Sequence, residues 1–130
     1  MPDRPLSPHL SVYRMTRYSL LSSIVNRLTG LALAVGLLVL LYWLIAVSQG
    51  PEAYAKAYVV LSHPLFKLIF AGLTFSFCYH LAAGVRHLVW DTGRGLERRQ
   101  SQRSAYLVAA VSVMLTLALI LWAWSRMGTP

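Results

Sequence analysis

Two histidines stand seven residues apart in "FCYHLAAGVRHLVWD" (77–91), and the first of them, His80, interrupts a run from Leu68 to Val85 that carries no Asp, Glu, Lys or Arg. On a helix each residue turns by about 100°, which brings His80 and His87 within ~20° of one azimuth and ~10 Å apart along the axis. Ser76, Ala83 and Gly84 fall near the same line, so the stripe around His80 is narrow-bodied between the bulkier Leu73 and Phe77. Small residues beside an imidazole leave room for a flat group, or for a neighbouring helix to come close. A neutral imidazole with a vacant nitrogen is a ligand for a metal or a heme iron. The competing reading of His80 is a hydrogen bond across helices that only holds them together. His87, between Arg86 and Asp91, lies near the end of this apolar stretch. There it could meet an anionic group such as a heme propionate, or simply be hydrated.

The elements that carry these residues follow from hydropathy. Of the 130 residues, 57% are hydrophobic and 12% charged, and mean hydropathy is +0.56. Charge-free runs extend from Leu28 to Pro51, Leu68 to Val85 and Ser104 to Ser125. Apolar runs of about 18 or more residues read as membrane-spanning helices. The predicted fold is all-α, one membrane-anchor domain over residues 1–130. It has a cytoplasmic N-terminal segment (1–18) and spans at about 20–48, 65–90 and 104–126. The first span starts too far in and is too long for a signal peptide, and Asp3 with early prolines does not suit a transit peptide. A bacterial inner (plasma) membrane is the expected location.

Between the spans, Ser19 is the expected cap of the first helix. "PEAYAKAYVVL" (51–61), bounded by Gly50-Pro51 and Pro64, is expected to form a short interfacial helix with Pro51 in its first turn. Tyr42, Trp43, Tyr54 and Tyr58 would form the outer aromatic belt. "DTGRGLERRQSQR" (91–103) reads as a polar connection, and Ser112 and Thr116 can bond back to carbonyls of their own helix.

Nine of the twelve Lys and Arg residues precede the first span (Arg4, Arg14, Arg17, Arg27) or separate the second from the third (Arg86, Arg94, Arg98, Arg99, Arg103). Lys56, Lys67 and Arg126 are the remainder. Positive charge collects on the cytoplasmic side, so the N-terminus is expected in the cytoplasm and the C-terminus in the periplasm. The net charge of +8 is then a matter of topology, and nucleic acid is not an expected partner. Cys78 has no second cysteine to pair with and forms no C-x-x-C-H sequence, which excludes an internal disulfide and thioether-linked heme.

Four segments together, "RPLSPHLSVY" (4–13), "SSIVNRLTG" (22–30), "LSHPLFKL" (61–68) and "HLAAGVRHLVWDTG" (80–93), resemble the cytochrome b membrane-anchor subunits of bacterial succinate dehydrogenase, respiratory complex II. The resemblance covers essentially the whole chain. It implies that the chain forms half of a heterodimeric helical anchor, two small subunits of three spans each with one heme b between them. His80 is then the axial iron ligand from this side, and the second ligand comes from the other small anchor subunit. The family places ubiquinone near the cytoplasmic end of the first span, beside the iron–sulfur subunit, which implies quinone contacts for Ser23 and Arg27. Ser23, Asn26 and Arg27 share a helix face, and a hydroxyl with a cation suits a carbonyl oxygen that gains negative charge on reduction. The competing account makes Arg27 a topological anchor and Ser23 a packing residue. Where the family usually has histidine this chain has Asn26, which hydrogen-bonds but does not titrate near neutral pH. No flavin motif, G-x-G-x-x-G or cluster-binding cysteine set is present, so the chain is expected not to be an enzyme by itself, and the flavoprotein and iron–sulfur subunits are expected partners. The alternatives are a heme-free structural anchor and a small transporter. The absence of any carboxylate inside the spans speaks against proton-coupled transport.

Overall fold

The computed structural model describes residues 17–127, with side chains from 20 to 126. The expected N-terminal segment, including "RPLSPHL", lies outside the described residues apart from the start of the first helix. Four helices follow one another: α1 (Arg17–Ser48), α2 (Pro51–Leu61), α3 (Pro64–Asp91) and α4 (Arg98–Met127). Among the described residues there is no strand, and three helices, α1, α3 and α4, are long and apolar enough to cross a membrane.

The helix ends follow local chemistry. Gly50 takes φ 98°, a left-handed conformation that glycine adopts without steric cost, and Pro51 then opens α2 at a position where no N–H is needed. At the next corner His63 caps α3, its Nδ1 accepting from Leu65 N–H at 3.3 Å, and Pro64 again occupies the first turn. After α3 the chain turns through Gly93 (φ 77°) and Gly95 (φ 75°), and Trp90 Nε1–H donates to the Gly95 carbonyl at 3.1 Å, folding the loop back onto α3.

Two boundaries differ from expectation. Helix α1 already includes Arg17, two residues ahead of Ser19, so Ser19 lies within the helix rather than capping it. Helix α4 begins at Arg98, six residues before the apolar run that starts at Ser104. The arginines and glutamines there are good helix formers, and a helix continues past the apolar run when propensity allows.

Helix α3 is the middle of the bundle and packs against both α1 and α4. Its buried face carries Ser76, Tyr79 and Ala83, and the core cluster joins Tyr79 and Ala83 to Val108 of α4, with Val25, Phe75 and Ala82 around them. Side chains at these contacts are small. Ala57 is fully buried where α2 lies against its neighbours, and Ser112 is fully buried in α4. Lipid tails are as apolar as leucine, so such helices associate through close packing and interhelical hydrogen bonds. The buried hydroxyls are satisfied within α4: Ser112 donates to Val108 O at 2.6 Å and Thr116 to Ser112 O at 2.7 Å. Of the most apolar stretch of α1, only 6% is buried inside the chain. The uncovered remainder suits contact with lipid or other subunits.

Candidate functional site

His80 is half-buried and turned toward α1. Its Nδ1 lies 3.2 Å from the Asn26 carbonyl oxygen and 3.4 Å from Thr29 Oγ1, while Thr29 itself donates to the same carbonyl at 2.9 Å. A carbonyl only accepts, so the proton of the neutral ring sits on Nδ1 and the lone pair on Nε2. Every hydrogen-bond contact of the ring among the described residues is made through Nδ1. This is how iron- and zinc-binding imidazoles are commonly held, the non-ligating nitrogen fixed by a backbone oxygen.

The ring fits because α1 presents Gly30 to it. A Cβ at Gly30 would come within 3.0 Å of His80 Cε1, and real Cβ atoms rarely come so close. On α3 itself, one turn beyond His80, a Cβ at Gly84 would meet nothing within 4 Å. A half-buried imidazole with an open nitrogen, beside an uncrowded glycine, suits an iron ligand next to a flat macrocycle. Among the described residues no three His, Cys, Asp or Glu side chains converge.

His87 shares the azimuth of His80 but not its surroundings. It lines a cavity of about 400 Å³ together with Ser22, Ser23, Asn26, Arg27, Arg86 and Trp90. Its Nδ1–H donates to Ala83 O at 2.7 Å, and its ring meets Trp90 edge-on at 5.2 Å. The structure therefore brings Ser23, Asn26 and Arg27, one face of the first turns of α1, together with His87 of α3. His80 sits on the far side of Asn26. That residue joins the two places: its carbonyl oxygen holds His80, while its side chain lines the cavity with Oδ1 buried and without a partner.

Sequence reasoning missed four residues here. Thr29 (5% exposed) and Gly30 shape the His80 seat. Arg86, read from the sequence only as a topological charge, is buried, and Trp90 packs against it with the guanidinium 4.1 Å from the ring centre. The i,i+4 spacing of Arg86 and Trp90 was the available signal, since such pairs stack on one helix face. Cys78 is buried and unpaired.

Comparison with known proteins gives the family. The family described as "Succinate dehydrogenase/Fumarate reductase transmembrane subunit" matches residues 1–119. The succinate dehydrogenase cytochrome b556 subunit of Paracoccus denitrificans is 42% identical over 115 residues, covering 88% of each chain. That of Rickettsia prowazekii (strain Madrid E) is 37% identical over 120 residues, covering 92% of this chain and 90% of that protein. The cytochrome b560 subunit of Reclinomonas americana is 36% identical over 121 residues. With likeness running from the N-terminal segment through α1 and α3 and well into α4, the chain belongs to the succinate dehydrogenase/fumarate reductase transmembrane subunit family.

Proposed function

We propose that this chain is the heme b-binding anchor subunit of a succinate:ubiquinone oxidoreductase. The observation that carries the reading is the Nδ1–H···O=C bond from His80 to Asn26, which leaves Nε2 with its lone pair. His80 would be the axial ligand from this side, and a second small anchor subunit would supply the opposite one. A bound heme b would supply a one-electron store. His87, its ring fixed through Nδ1, would present Nε2 to a heme propionate.

The net reaction, succinate plus quinone giving fumarate plus quinol, moves two electrons and two protons. Succinate oxidation would belong to the flavoprotein and iron–sulfur subunits, and this chain would anchor them while contributing part of the ubiquinone pocket. In that pocket Ser23 O–H and Arg27 N–H donate to a quinone carbonyl oxygen, interactions that strengthen as the oxygen becomes negative. Asn26 adds hydrogen-bonding capacity without a titrating proton. The N-terminus and the α3–α4 loop would be cytoplasmic, the C-terminus periplasmic.

The test is made on the complex purified in detergent, with its subunits identified by mass. Its visible spectrum is expected to show the Soret and split α/β bands of bis-histidine heme b, lost in His80→Ala. Ser23→Ala and Arg27→Ala are expected to keep the heme bands and lower kcat/KM for quinone by about tenfold or more. A colourless preparation that still reduces quinone would overturn the heme assignment and leave a heme-free anchor.

A further inference from the structure

Arg86 is the one charged side chain buried among the described residues, 8% exposed. Its Nε–H donates to Ser104 Oγ at 3.0 Å, Nη2 to Ser101 O at 3.0 Å and Ser101 Oγ at 3.2 Å, and Nη1 to Ser22 Oγ at 3.4 Å. Those partners belong to α4 and α1, so one guanidinium on α3 ties the three spanning helices together at a single level. Each oxygen it meets is neutral. Among the described residues the ion pair is Lys56–Glu52, on α2. An arginine keeps its charge in a protein, and a buried charge is normally neutralised by a partner or put to use. Arg86 and Trp90 line the cavity that holds Ser23 and Arg27, and on their other side an apolar groove of about 460 Å³ between α3 and α4. Together they form the wall between the two.

We infer that Arg86 is a positioning residue of the quinone pocket: it fixes the Ser22–Arg27 turn of α1 against α3 and α4 and holds an uncompensated positive charge beside the place where the substrate oxygen becomes negative. This rests on the quinone reading given above. The rigid fork sets the geometry, and the charge favours the reduced form over the oxidised one. A lysine would restore the charge without the fork.

The experiment uses the assembled complex and a short-chain ubiquinone analogue. The heme-to-flavin ratio and succinate oxidation by a soluble dye report assembly. In Arg86→Gln, kcat for quinone reduction is expected to fall about tenfold or more, because charge stabilisation of the reduced form has been lost, and KM to rise about threefold or more, because the fork has been lost with it. The EPR amplitude of the bound quinone radical, per heme, is expected to fall with it. Arg86→Lys is expected to recover most of kcat and of the radical signal while KM rises. Arg86→Gln with normal kcat, KM and radical amplitude per heme overturns the inference, as does a loss that merely tracks heme content. If Ser23→Ala and Arg27→Ala are equally silent, the quinone reading itself has failed; if they impair turnover and Arg86→Gln does not, only this inference falls. Should neither Arg86 variant assemble, Ser101→Ala/Ser104→Ala keeps the charge and frees the fork. Its KM for the analogue is then expected to rise about threefold or more, and an unchanged KM overturns the positioning role.

Discussion

At His80 the contacts made by Nδ1 decide what Nε2 can do. The Asn26 carbonyl is part of the backbone of α1, so no substitution at position 26 removes the acceptor; only a change in the spacing of α1 and α3 can. Gly30 sets that spacing, since a methyl group there would stand 3.0 Å from His80 Cε1. Gly30→Ala is therefore expected to displace the ring and cut heme content by about half or more, because a crowded core relieves strain by shifting side chains and backbone at a cost of roughly 1–3 kcal/mol. Gly72→Ala, on the same helix as His80 but with nothing within 4 Å of the added Cβ, is expected to leave heme content unchanged. The heme-to-protein ratio of the two purified variants checks the pair. Equal ratios would mean that the seat of His80 is softer than its contacts suggest.

The helices themselves were legible to the extent that their signals are local. Long charge-free runs announced α1, α3 and α4, and Gly50-Pro51 and Pro64 bracketed α2 at the limits found. The start of α4 was not legible, because Arg98–Arg103 reads as polar loop by hydropathy and as helix by propensity, and propensity won. The stripe joining His80 to His87 was read correctly as an azimuth. What each would touch was not readable, since ~10 Å of height along α3 sets them against different turns of α1. Arg86 escaped for a similar reason: Ser22, Ser101 and Ser104 become its partners only through tertiary packing. Close packing around α4 gives a prediction at this scale. Ser112 has no exposed surface, and its hydroxyl bonds only within its own helix. Ser112→Ala is expected to be nearly neutral, whereas Ser112→Leu is expected to force the helices apart and destabilise the bundle by about 1–3 kcal/mol. Thermal inactivation of the detergent-solubilised complex separates the two: a clear fall in midpoint for leucine, little for alanine.

Among the described residues, large apolar side chains stand mostly on the outside of the bundle. Leu38, Leu68, Met114, Leu121 and Trp124 are each at least 65% exposed, which suits contact with lipid and companion subunits and would be a liability in water. Charge is the expected guide to the orientation of this bundle. Arg94, Arg98, Arg99 and Arg103 lie in or next to the α3–α4 connection, and Arg27 sits near the same end on α1, whereas the α1–α3 connection offers Lys56, already paired with Glu52 at 2.9 Å, and Lys67. The cavity of Ser23, Arg27, Arg86 and His87 lies at the arginine-rich end. If positive charge marks the cytoplasm, that cavity opens toward the side where electrons from succinate arrive, and topology and electron route depend on the same arginines. A C-terminal alkaline phosphatase fusion is accordingly expected to be active and a C-terminal GFP fusion dark, with the reverse for fusions in the α3–α4 loop. A fluorescent C-terminus would turn the bundle over and put the Ser23–Arg27 cavity across the membrane from an iron–sulfur subunit, so that the quinone assignment would lose its electron donor even if His80 still held iron.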